Sequence, residues 1–547
     1  MGFELRSLLL GACYGDVQAF CALFFDNVAT LLSMVGPLAS LQGFENIVYR
    51  KILPGFALSL LWGNLYYAYM AYKLAKKEGR NDVCAQPYGI NTPGAVIKTF
   101  SIVFPCYFYR LYEVGDTPGA AAEFAWRTGI VANFISGLIE ISGFLIGPIL
   151  RKYVNKTALF VGIAGVGFGW LGLNVFERSM AMPTVGVPCV LIIFLGYYGK
   201  VSFGPIPTAI VALIYGSAVS YICDYKNAAK VEAAYEAFVG TSGLSFALPA
   251  ALGASGVFST MVREYLSYIV PVACTNMLGT IECTESACDA GDDYPVRESM
   301  IVDGIGTVIG ACFGSIFGTT VYIGHPAYKK MGARVMYSVA CGCIMCILIF
   351  SGMMASLFQL IELESIHPIV LFVGLMMVTQ TLDSAPSRYY PAIILGLMPG
   401  VCDYILGTFF AAIPTGITFL GKGALFNSLV LCSICICAID RNFIVGSVWV
   451  CIAVALCMVG IMHAPEIAGQ IEKHSQGWRY AVGYAQLIPL FGGLWLMQRN
   501  GMVEPTIIDQ FNQVRATEAK LMDESAMDDG AVDVAIAKEA ALKKGEP

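Results

Sequence analysis

Ile52 to Tyr72, Val201 to Cys223 and Val335 to Ile361 contain no Asp, Glu, Lys or Arg. Each exceeds the roughly 18 residues a helix needs to cross the hydrocarbon of a bilayer. One such run would make an anchor, but a chain with many of them must fold as a bundle inside the membrane, where backbone polar groups are satisfied without water. Helices follow because the runs are continuous, whereas barrel strands alternate faces in segments of about 10 residues. The composition agrees: 57% of residues are hydrophobic and 13% charged, against about 25% charged in soluble domains. A water-soluble core of this size is excluded.

Gly, Pro and charged residues divide the apolar sequence into sixteen segments. Seven precede a polar stretch, near 8–38, 52–74, 86–108, 126–150, 157–176, 183–199 and 203–223. Nine follow it, near 262–284, 299–314, 318–329, 335–361, 367–382, 389–420, 423–439, 443–463 and 478–498. This gives a first half, 1–224, a polar linker, 225–257, a second half with extra C-terminal spans, 258–500, and an acidic tail, 501–547. The basic clusters Lys73, Lys76, Lys77 and Arg80, then Arg151, Lys152 and Lys156, then Lys329, Lys330 and Arg334 mark cytoplasmic loops. Both termini are then cytoplasmic, and a multi-pass protein of the plasma membrane is expected. The Asn155 glycosylation sequon would go unused.

The net charge is −6, of which Val503 to Pro547 contributes −5 through 10 acidic and 5 basic residues. The membrane part is nearly neutral, no nucleic-acid partner is implied, and the tail reads as polar helix or disorder. The first apolar run carries Asp16 and Asp26 and continues past a signal peptide's apolar core, so it is expected to be retained. Most of the 19 cysteines lie within apolar runs and read as small buried residues. There is no HExxH, GxSxG or Walker sequence. The chain is therefore expected not to be an enzyme and to need no cofactor or metal.

The third segment holds Gln86-Pro87-Tyr88-Gly89-Ile90-Asn91-Thr92-Pro93, and the tenth holds Thr319-Thr320-Val321-Tyr322-Ile323-Gly324-His325-Pro326. Interrupted segments at matching places in two halves point to a carrier's binding site, because unwound backbone leaves N–H groups and a helix N-terminus free in mid-membrane. Two ordinary kinked helices are the plainer reading. Ionisable residues within spans are costly unless paired or facing an aqueous cavity. On the eighth segment Asn276 and Thr280 stand one turn apart, with Glu282 and Glu285 further along, although Glu285 also suits the start of a loop. Asp303, Asp16 and Asp26 are candidates for proton relay or for structural hydrogen bonds. Glu140, Asp383 and Asp403 are weaker candidates. His325 suits solute contact or titration, or a structural role, and Thr319, Thr320 and Tyr322 offer hydroxyls.

The chain resembles the xanthine/uracil/ascorbate permease superfamily of nucleobase–cation symporters, and within it the azaguanine-type purine permeases. The matching pieces are Gly89-Ile90-Asn91, Leu278-Gly279-Thr280, Ile301 to Gly314 with Gly318 to Ile323, Pro368 to Met377 and Pro391 to Pro399. The resemblance implies an all-α fold of two inverted seven-span repeats, with core and gate domains and short extended segments in the broken third and tenth spans. It also implies a homodimer and alternating access driven by protons or sodium. Solute contacts are expected at Asn91, Thr92, Asn276, Thr280, Thr319, Thr320, Tyr322 and His325. Ion coupling is expected at Glu282, Glu285, Asp303 or Asp26. Asn276 stands where those permeases place an acid, Gly324-His325-Pro326 and Thr92-Pro93 depart from the pattern, and two spans beyond about 440 are extra. The expected solute is a nucleobase such as a purine, xanthine or uracil. The alternatives are an inorganic or carboxylate anion such as bicarbonate or sulfate and, in a different class, a membrane scaffold.

Overall fold

A computed structural model of the chain describes residues 13–153, 156–201, 203, 208–223, 244–322, 324–361, 363–383, 385–408, 413–464 and 477–507. Most of the expected linker, the sequon's Asn155 and the tail beyond 507 lie outside the described residues. The protein is a multi-span α-helical membrane protein. Six described helices are long and apolar enough to cross a bilayer, and a bent pair, Thr415–Gly421 with Ala424–Ile439, makes a possible seventh. Other segments expected from the sequence form shorter apolar helices, such as Met336–Phe350.

Two compact units are distinguishable. The first comprises the described residues of Met1–Val154, Val166–Met376 and Tyr404–Ala411. Its main helices are α1 (Tyr14–Ala39), α2 (Leu53–Glu78), α3 (Thr92–Val96), α4 (Pro118–Tyr153), α5 (Leu266–Asp289), α6 (Val296–Cys312), α7 (His325–Lys330) and α8 (Met336–Phe350). Here α2 packs on α8 and α6, α4 on α6 and α5, and α1 on α8. That pattern maps onto itself when α1, α2 and α4 are exchanged with α5, α6 and α8. Two repeats interleaved in one unit give this arrangement.

Between the repeats lie β1 (Tyr88–Ile90) and β2 (Thr319–Val321), paired antiparallel with Tyr88 opposite Val321 and Ile90 opposite Thr319. The two broken segments thus complete each other's backbone hydrogen bonds in the middle of the bundle, where no water would do so. The Asn91 N–H donates to the Gly318 carbonyl, and the Tyr322 N–H to that of Pro87. Gly89 allows a close approach, since a Cβ there would run into Asn27 Oδ1 and Tyr322 Oη.

Asp16 caps α8, its Oδ1 accepting from the N–H groups of Arg334 and Tyr337, so this early carboxyl is a structural acceptor. In the loop after α5, the buried Asp292 gathers Lys329, His325, Arg80 and the Cys84 N–H. Burial pushes its carboxyl up, but hydrogen bonds from His325, Lys329 and Cys84 outweigh that and hold it at about 2.

The second unit comprises the described residues of Asn155–Gly165, Met377–Asp403 and Ala412–Pro547. Within it α9 (Ala424–Ile439), α10 (Phe443–Val459), α11 (Gly477–Ala485) and α12 (Leu487–Arg499) pack through Val430, Phe443, Val450 and Phe491. Arg388 pairs with Asp440 at 3.1 Å.

Candidate functional site

The strand junction is held by side chains from α1, α2, α5 and α6. On the β2 side, Asp303 of α6 is buried, with Tyr67 Oη donating to Oδ1 at 2.6 Å. Its Oδ2 lies 2.8 Å from Thr280 Oγ1, 3.0 Å from Thr320 Oγ1 and 3.3 Å from the Val321 nitrogen. Glu140 of α4 is also buried and accepts from Asn276 Nδ2 at 2.9 Å and from Thr307 Oγ1 and Ser136 Oγ at 3.1 Å. Asn276 and Thr280 do share one face of α5, as their spacing predicts. That face turns inward, and each residue serves a carboxyl on a different helix.

Thr319 Oγ1 lies 2.5 Å from Tyr88 Oη and 2.6 Å from Ser59 Oγ, so its hydroxyl ties β2 to β1 and α2. Gly306 lets Tyr88 enter; a Cβ there would meet Tyr88 Oη at 2.2 Å. On the β1 side, Asn27 Oδ1 accepts from the Ile90 N–H at 2.8 Å, and Tyr322 Oη donates to the Ile90 carbonyl at 3.0 Å. Asn91 caps α3 by accepting from the Gly94 N–H, while its buried Nδ2 has no partner among the described residues. Thr92 and Tyr322 are half-buried, and among the described residues both polar atoms of the buried Gln86 are unpartnered.

Asp26, one residue before Asn27, is exposed and accepts no hydrogen bond from a described residue. It lies within electrostatic reach of Tyr322, Tyr197 and Tyr328.

The other expected site residues lie elsewhere. His325 begins α7 fully buried, with Nε2 3.0 Å from Asp292 Oδ2, and its known partner belongs to the loop cluster rather than to the strand junction. Glu285 is half-buried toward the end of α5. Glu282 is on the same helix, and its side chain lies outside the described part of the structure.

Sequence reasoning missed Tyr67, Asn133, Thr307 and above all Lys98. Lys98 is fully buried on the π-type turn Ile97–Val103, with Nζ 2.6 Å from Asn133 Oδ1. Its signal was present, since Lys98 is the only Asp, Glu, Lys or Arg between Asn91 and Tyr109. A π-type turn inside a helix often marks a functional position.

No curated protein matches the chain. Among solved structures, it is similar to the transmembrane domain of a cyanobacterium bicarbonate transporter, BicA, at 13% identity and a TM-score of 0.45, covering 74% of this chain and 98% of that one. It is similar also to SLC26A9, at 14% identity and a TM-score of 0.41, covering 74% of this chain and 66% of that one. The family model described as the permease family, that of the xanthine/uracil permeases, matches residues 125–382, which include α5, α6, β2 and α7. Over residues 125–382 the chain thus carries the sequence pattern of the permease family, which supports its being a membrane transporter.

Proposed function

We propose that this transporter is a secondary carrier of an uncharged, hydrogen-bonding heterocycle of the nucleobase class, driven by a proton or sodium gradient. The observation that carries this reading is the balance of charge at the junction. Asp26 is exposed and accepts no hydrogen bond from a described residue, and Asp303 and Glu140 are buried near the paired strands. Against these three carboxyls stands, among the described residues, one buried Lys or Arg, Lys98, already bonded to Asn133. A site so composed offers an anion repulsion and no free positive charge, in a medium where Coulomb energies are several times those in water. It suits a ring whose N–H groups donate to a carboxyl and whose carbonyls accept from amide N–H groups. Asn91 Nδ2 and Gln86 Nε2, which have no partner among the described residues, supply such donors.

Proteoliposomes holding the full chain test the reading. Saturable uptake of radiolabelled hypoxanthine or uracil under an inward proton or sodium gradient, undiminished by sulfate or bicarbonate, is the expected result. Absence of nucleobase uptake together with electrogenic sulfate or bicarbonate flux would overturn it in favour of an anion carrier.

A further inference from the structure

We infer that Lys98 is a tethered cation occupying an oxygen-lined site inside the core, so that Glu140 has a permanent counter-charge and this site takes no sodium ion. The inference rests on the carrier reading above and narrows its coupling to protons.

Among the described residues Lys98 is the one buried Lys or Arg, and its ammonium is received by a side-chain oxygen. Asn133 Oδ1 accepts from it at 2.6 Å. A Cβ built on Gly318 would lie 3.1 Å from Thr307 Oγ1, 3.3 Å from Asn133 Oδ1 and 3.3 Å from Lys98 Nζ, so these three atoms converge on one point of the chain just before β2. Asn133 is itself fixed, its Nδ2 facing the carbonyls of Ser315 at 3.0 Å and Phe317 at 3.1 Å. Thr307 bridges to Glu140 through its hydroxyl. Glu140 and, beyond it, Asp303 are the acidic groups around this centre. An amide oxygen, a hydroxyl and a nearby carboxyl form the hard-oxygen surroundings that a small cation prefers. The π-type turn Ile97–Val103 carries the ammonium there on its own stem. A cation supplied by the chain cannot dissociate, so charge movement in each cycle falls to the remaining carboxyls, Asp303 and Asp26.

Thermal unfolding of the purified protein in detergent tests this without any transported solute. At constant ionic strength, wild type is expected to unfold at the same temperature in sodium chloride as in choline chloride. Lys98→Ala is expected to unfold lower in choline and to recover by roughly 2 °C or more as sodium replaces it. Sodium-specific stabilisation of wild type, or a folded Lys98→Ala protein that responds to sodium no more than wild type, would overturn the inference. Should Lys98→Ala not fold, neutralising both partners decides. Lys98→Met with Glu140→Gln is expected to be more stable than Glu140→Gln alone, which strands a buried charge, and a double variant no better than the single one overturns it. Failure here leaves the nucleobase uptake experiment standing, and failure of that experiment leaves these readouts intact.

Discussion

The two strands meet the same physical problem with different chemistry. At the end of β1, the Ile90 N–H is received by Asn27, an amide on α1. In β2, the Val321 N–H is received by Asp303, a carboxyl on α6. Both are side chains of neighbouring helices reaching into mid-membrane to satisfy a strand that the other strand cannot. Only the second can change charge. The first repeat therefore provides a fixed support, and the second provides a support that can also take up a proton. The carboxyl of the first repeat, Asp26, sits one residue from the support and has been left free of it.

Substitutions break or sharpen this contrast, from the largest expected effect to the smallest. Asp303→Asn turns an all-acceptor group into one that must orphan some of the donors of Tyr67, Thr280, Thr320 and Val321. It is expected to destabilise the protein by about 2–4 kcal/mol in detergent unfolding and to flatten the pH dependence of uptake. Asp292→Asn, which weakens the loop cluster, is expected to cost about 2–3 kcal/mol near neutral pH. Because the Asp292 carboxyl is held at about 2, below its ordinary value, its stabilisation is complete above about pH 4. It is lost as the pH falls through 2, so an acid titration of unfolding should show wild type and variant converging there. Asn27→Ala, removing a neutral acceptor from one N–H, is expected to cost about 1–2 kcal/mol with the pH profile of uptake unchanged. Asp26→Asn is expected to leave the unfolding temperature where it was and yet abolish gradient-driven uptake. Unaltered uptake would remove Asp26 from the proposed mechanism.

The breaks in the two segments were legible in the sequence, because Pro removes a backbone donor, Gly weakens a helix, and their placement matched in both halves. Asp303 was legible as an acid inside an apolar run, and Asn276 with Thr280 by their spacing on one helix. What those residues face was not, since it depends on how separate helices pack, in two cases helices more than a hundred residues away: Asp303 meets Tyr67, 236 positions earlier. Asn276 reaches Glu140, 136 positions away. Asp292 read as one of several loop acids, and nothing near it in sequence shows that it is buried against Arg80, 212 positions earlier. His325 was singled out for its flanking Gly and Pro, but the start of α7 carries it toward Asp292. Lys98 gave a signal that was passed over among more numerous acids.

The pairing of β1 with β2 also sets an order on biogenesis. Ile90 waits for Thr319, 229 residues later in the chain. At about 5–20 residues per second of synthesis, the first strand spends roughly 10–45 seconds in or beside the insertion machinery before its partner exists. During that time Asn27, which accepts from the Ile90 N–H, and Asn64, whose Nδ2 lies 3.3 Å from the Tyr88 carbonyl, are side chains already made that can shelter its backbone. Substitutions at Asn27 should therefore lower the yield of inserted protein by more than their effect on the finished fold would suggest.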